Sequence, residues 1–125
     1  RVEASMSAAQ REKVVVAALE DIKGRDIEVI NTAKLTPLFE RIVVVSGDSN
    51  RQVRSLARNV EDKVREAGGE ILSTEGEDGG EWVLVDLGDI VVHIMQPAIR
   101  SYYNLEELWG GKGPERVRKA TAAAA

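Results

Sequence analysis

The chain has 125 residues, 43% hydrophobic and 30% charged, and its 17 basic against 21 acidic side chains leave a formal charge of −4. That length suits one domain with a real core, and the charge balance argues against a protein held mainly by phosphate backbone. Cysteine is absent, which removes disulfide frameworks, Fe–S clusters, thiolate metal sites and cysteine nucleophiles.

No apolar run nears the roughly 20 residues of a membrane span. A start on Arg1 without a signal-like stretch reads as a trimmed or processed cytoplasmic chain. The first predicted element is a helix over 7–23. Ser7 and Gln10 have capping-box spacing, Val15, Ala18, Leu19 and Ile22 recur at helical intervals, and Gly24 stands where a left-handed residue closes a helix. Asp26 to Asn31 reads as a strand around Ile27-Glu28-Val29-Ile30. Leu35-Thr36-Pro37-Leu38-Phe39 is an irregular link, because Pro37 bars a strand interior. Ile42 to Val45 is a continuous apolar run, as expected of a strand covered on both faces or nearly so.

A second helix is predicted over 50–67. Asp48, Ser49 or Asn50 can cap it, Val53, Leu56, Ala57, Val60 and Val64 line one face, and Gly68-Gly69 ends it. Its outer face carries Arg51, Arg54, Arg58 and Arg65, an anion-binding stripe in principle. Glu61 with Arg65 and Arg58 with Asp62 at i,i+4 favour a solvated face instead.

From Glu70 to Asp89 there are seven acidic and no basic residues, while the rest of the chain carries +3. Ile71-Leu72 reads as a short strand and Gly76 to Gly80 as an acidic, glycine-rich loop. Trp82 to Leu87 and Ile90 to Gln96 read as a hairpin closed by Gly88-Asp89. After Pro97 come a helical turn through Tyr102-Tyr103 and a second from Asn104 to near Trp109. A domain over 5–109 followed by a flexible tail over 110–125, partly vector-derived, is the expected organisation.

The two-residue loop sets the hairpin register, with Leu87 opposite Ile90 and Trp82 opposite Met95. One face is then Val83, Val85, Leu87, Ile90, Val92 and Ile94, wholly aliphatic, and must pack on the helices. The other is Trp82, Leu84, Asp86, Val91, His93 and Met95. Two long helices are too few to cover both faces of about five strands, so the mixed face is a candidate binding patch. Alternatively, the terminal segment with Tyr102, Tyr103, Leu105, Leu108 and Trp109 folds back over it.

Enzyme readings are weaker. Asp86, Asp89 and the single His93 make a poor metal set. Ser46-Gly47-Asp48-Ser49 resembles a phosphate-cradling turn but lacks the Lys-Ser or Lys-Thr pair of a P-loop. No catalytic residue, cofactor or metal site is assigned.

Further motifs carry a resemblance. Asp26-Ile27, Leu35-Thr36-Pro37-Leu38 and Val45-Ser46-Gly47-Asp48-Ser49-Asn50-Arg51-Gln52-Val53 resemble the ribosomal silencing factor family, also called Iojap. So do Trp82-Val83-Leu84-Val85-Asp86-Leu87-Gly88-Asp89-Ile90-Val91-Val92-His93, Gln96-Pro97 and Arg100-Ser101-Tyr102-Tyr103-Asn104-Leu105-Glu106-Glu107-Leu108-Trp109. The resemblance spans residues 8 to 110. Departures are Met95 where Phe is common and a longer acidic lead-in before Trp82.

The resemblance implies an α/β mixed sheet, nucleotidyltransferase-like, with helices mainly on one face. It implies a translation repressor, not an enzyme. Such a factor binds the large ribosomal subunit through the ribosomal protein numbered fourteen and blocks small-subunit joining when nutrients fail. The acidic stretch suits a basic partner. The expected contact residues are Trp82, Leu84, Asp86, Asp89, His93, Met95, Tyr102, Tyr103 and Trp109, with ribosomal RNA peripheral at most and no small-molecule substrate. A metal-dependent nucleotidyltransferase-like enzyme is the second reading, and a homodimer through the mixed face is the third.

Overall fold

Ser7 caps the first helix as its spacing predicts. Its Oγ accepts from Gln10 N at 3.2 Å, and Gln10 Oε1 accepts from Ser7 N at 2.9 Å. The computed structural model describes residues 7–105 and the backbone of Arg116–Lys119. The chain runs α1 (Ala8–Asp21), β1 (Arg25–Asn31), β2 (Arg41–Ser46), α2 (Asn50–Glu66), β3 (Ser73–Glu75), β4 (Trp82–Asp86), β5 (Ile90–Met95), α3 (Pro97–Tyr103) and β6 (Arg116–Lys119). The strands form one sheet in the order β3-β4-β5-β2-β1-β6. The β2–β5 pair is parallel and every other neighbour is antiparallel, so the sheet is mixed.

Both long helices end in Schellman geometry, with one difference from expectation. At α2 the left-handed residue is Gly68, φ 91°, with Gly69 N donating to Val64 O at 2.8 Å. At α1 it is Lys23, φ 65°, and Gly24 is the next residue, donating to Leu19 O at 2.9 Å. Gly24 is needed for space instead: a Cβ there would lie 2.7 Å from Val45 Cγ2.

The helices pack on the aliphatic sheet face, as the alternation requires. Val15, Ala18 and Leu19 of α1 and Val53, Leu56, Ala57, Val60 and Val64 of α2 meet Ile27, Val29, Val43, Val45, Val83, Val85, Val92 and Ile94. Each fully buried Val, Leu or Ile contributes roughly 1.5–3 kcal/mol of transfer free energy. That face is the source of the fold's stability.

The predicted strand at Ile71-Leu72 begins later, at Ser73. Leu72 N does bond Asp86 O at 2.8 Å, but Leu72 is 63% exposed and only 73–75 continue the ladder. The acidic loop after it is anchored, not loose. Arg54 donates to the carbonyls of Glu77 and Asp78 at 2.8 and 2.7 Å, and Gln96 Nε2 donates to Gly80 O at 3.1 Å. The i,i+4 pairs expected on α2, Glu61 with Arg65 and Arg58 with Asp62, do not form among the described residues, and Glu61 accepts from Thr74 Oγ1 instead. Arg116–Lys119, inside the stretch read as a tail, pairs antiparallel with β1 as an outer strand.

Candidate partner-binding surface

The hairpin has the predicted register: Trp82 opposite Met95, Leu84 opposite His93, and Asp86 opposite Val91. Leu87 N donates to Ile90 O at 2.9 Å, and Gly88 takes φ 97° in the two-residue loop. The mixed face therefore points away from α1 and α2.

This second face is half roofed. Ile42, Val44 and Met95 form a small buried cluster on it, covered by Phe39, Trp82, Ile99 and Leu105. Pro97 opens α3 at its first turn, where a missing N–H costs nothing, and Asn104, φ 48°, closes it. Part of the roof is thus α3 and Leu105, from the terminal segment that is the alternative cover for this face. At the Asp86 end the face stays open as a groove of about 460 Å³, lined by Leu38, Phe39, Ile42, Leu84, Asp86, Gly88, Val91 and His93.

Between roof and groove runs a line of four rings. Tyr102 meets Tyr103 edge-on at 4.9 Å, Tyr103 meets Trp82 at 4.8 Å, and Trp82 lies 5.8 Å from His93. Trp82 Nε1 donates to His93 Nδ1 at 3.0 Å. An acceptor Nδ1 puts the imidazole proton on Nε2. Burial holds the ring neutral by lowering its pKa from 6.5 to about 4. Tyr102 is 81% exposed and Tyr103 50%, while Trp82 and Leu84 are half-buried. Rigid, amphipathic rings of this kind are favoured at protein interfaces.

The structure does not bring all the expected site residues together. Asp86 lies in the groove, but its Oδ1 accepts from Gly88 N at 2.8 Å, so it also braces the turn. Asp89 points the other way. Its carboxylate pairs with Arg11 of α1 at 2.5 Å, beside the Glu12–Arg41 pair at 2.8 Å, in a part-buried cluster on the helix side. A loop residue escapes the in–out alternation that assigns strand side chains to faces. Met95 has no exposed surface and underlies the patch without lining it. Trp109 lies outside the described residues.

Leu38 and Phe39 line the groove without having been expected there, and Leu38 is 77% exposed. The signal for them was two leucines and a phenylalanine around Pro37 in a link that solvent exposure would normally make polar.

The Ser46-to-Ser49 turn is structurally occupied. Ser46 Oγ accepts from Arg100 at 2.9 Å, Asp48 pairs with Arg25, and Ser49 caps α2 through Gln52 N at 3.0 Å. Among the described residues, no group of three or more His, Cys, Asp or Glu side chains is placed to hold a metal ion. No helix among them is long and apolar enough to cross a membrane.

Comparison with known proteins is consistent across three kinds of match. Residues 5–125 match the family model described as ribosomal silencing factor during starvation. The ribosomal silencing factor of Chromobacterium violaceum is 58% identical over 102 residues, covering 82% of this chain and 84% of that protein. A crystal structure of a Chromobacterium violaceum protein superposes with a TM-score of 0.84 at 51% identity, covering 96% of this chain and 100% of that one. A mouse protein named for mitochondrial assembly of the ribosomal large subunit is 29% identical over 99 residues, 77% of this chain and 43% of that protein. The motifs around Trp82 and Tyr103, the mixed sheet with its helices on one side, and these matches agree: the chain belongs to the ribosomal silencing factor family.

Proposed function

We propose that the open half of the second sheet face docks this chain on the large ribosomal subunit, through the ribosomal protein numbered fourteen, and thereby blocks small-subunit joining. The protein then acts in the cytoplasm as a translation repressor under nutrient limitation, and not as an enzyme. The observation that carries this reading is the groove with its flanking tyrosines, an exposed aromatic and aliphatic surface on a chain whose family is named for ribosome silencing. The exposed carboxylate of Glu75, in register with Leu84 on the neighbouring strand, suits a basic partner and would steer association in a salt-sensitive way.

The test is co-sedimentation with isolated large subunits, with and without added small subunits. Tyr102→Ala and Trp82→Ala, each first shown to fold, are expected to lose about 2 kcal/mol of binding, roughly thirtyfold. Wild-type protein is expected to reduce the yield of joined ribosomes, and the two variants to restore it. Unchanged affinity in both variants would put the contact elsewhere. Gel filtration separates the competing homodimer, which would use the same face.

A further inference from the structure

On the outer side of α2, Arg51, Arg58 and Arg65 follow one another at seven-residue intervals. Their Cα atoms are therefore about 10.5 Å apart, and the line drifts only ~20° around the axis at each step. All three side chains are exposed. None makes an ion pair or hydrogen bond to another described residue. The sequence favours a solvated face because Asp62 and Glu61 stand four residues from Arg58 and Arg65, yet in the fold neither pair closes. Glu61 is turned to Thr74, and Arg54 is turned into the acidic loop. What is left is a line of three free guanidinium groups about 21 Å long.

We propose that Arg51, Arg58 and Arg65 bind the sugar–phosphate backbone of an RNA segment, on the side of the sheet opposite Trp82. Residue type supports phosphate: each planar guanidinium offers paired N–H donors that match a phosphate's oxygens. The surrounding composition supports RNA over an acidic protein. The exposed positions between Asn50 and Glu66 are Asn50, Arg51, Arg58, Asp62, Arg65 and Glu66, with no apolar side chain to form the dry centre of a protein interface. A backbone contact requires none. The length of the line lets it follow several successive phosphates, whereas a single anion would engage one arginine. Asp62 stands within the line and opposes the contact, which makes it a second handle on the same surface.

The experiment uses the full chain and a fluorescent RNA duplex of about 20 base pairs, titrated at roughly 50 and 200 mM salt. Three phosphate contacts predict that affinity falls roughly 20- to 40-fold across that range. The triple variant R51E/R58E/R65E, checked for folding by circular dichroism, is expected to lose both binding and salt dependence. Should the triple variant not fold, Arg58→Gln alone is expected to lower the log–log salt slope by about 0.7–0.9. Asp62→Asn is expected to strengthen binding. Trp82→Ala is expected to bind the duplex as wild type does while losing large subunits, so failure here and failure of the docking reading are separable. The proposal is overturned if wild type shows no salt-dependent binding at the lower salt, or if the arginine variants bind as wild type does. Displacement of the duplex by poly-glutamate as effectively as by unlabelled RNA would also overturn it, because that marks an acidic-protein face.

Discussion

Acidification tests the Trp82–His93 pair directly. In the folded chain burial lowers the His93 pKa from 6.5 to about 4, while in the unfolded chain it returns to roughly 6.5. Below the unfolded value, the unfolded state takes up a proton that the folded state refuses, so falling pH favours unfolding. The contribution is fully present above about pH 6.5 and is lost towards pH 4. Linkage with these two values gives a loss of about 2 kcal/mol between pH 7 and pH 5, approaching ~3 kcal/mol near pH 4. Protonating Nδ1 also removes the acceptor for Trp82 Nε1.

The assay is urea unfolding at pH 7 and pH 5, for wild type and for His93→Asn, whose amide oxygen can accept from the indole but does not titrate. Other ionisable groups contribute equally to both proteins. The wild type is therefore expected to lose about 2 kcal/mol more than the variant. Equal losses, or a folded-state histidine titration near 6.5 by NMR, would refute the reasoning.

Three further outcomes are expected. Lys23→Gly is expected to raise stability by roughly 0.5–1 kcal/mol in thermal unfolding, because Lys23 has φ 65°, while Gly24→Ala lowers it through the contact with Val45. Gly76→Ala is expected to cost at least about 1 kcal/mol, since Gly76 has φ 88° and a Cβ there would meet Trp82 O at 2.1 Å; the shifted Trp82 should also weaken large-subunit binding. Asp89→Ala is expected to cost on the order of 2–3 kcal/mol by stranding Arg11, yet to leave large-subunit affinity unchanged in co-sedimentation.

Local rules made most of the fold legible. The alternation from Trp82 to Leu87, the Gly88-Asp89 turn and the run from Ile90 assign each hairpin side chain to a face, and the structure agrees at every paired position. Helical spacing likewise identified the buried residues of α2 from Val53 to Val64. Tertiary choices were the hidden part. Two adjacent residues compete for one left-handed site after α1, and only the approach of Val45 shows why glycine takes the second place. Asp89 sits in a turn, so its direction depends on where Arg11 lies, 78 residues away. Arg54 looked like part of a surface stripe until the loop it anchors came into place.

The parallel pairing of β2 with β5 also has a kinetic meaning. It joins Arg41–Ser46 to Ile90–Met95, partners far apart in the chain, whereas α1, β1 and β2 are neighbours in sequence, as are β3, β4 and β5. Sequence-local units form early, and closing a long loop between them comes late. The groove straddles that seam, with Leu38, Phe39 and Ile42 from one unit and Leu84, Val91 and His93 from the other. A chain that has built both units but not zipped them together has no groove to offer. On the proposed docking reading, competence to dock would then require this seam to be closed, and a chain that has not closed it would not engage the large subunit.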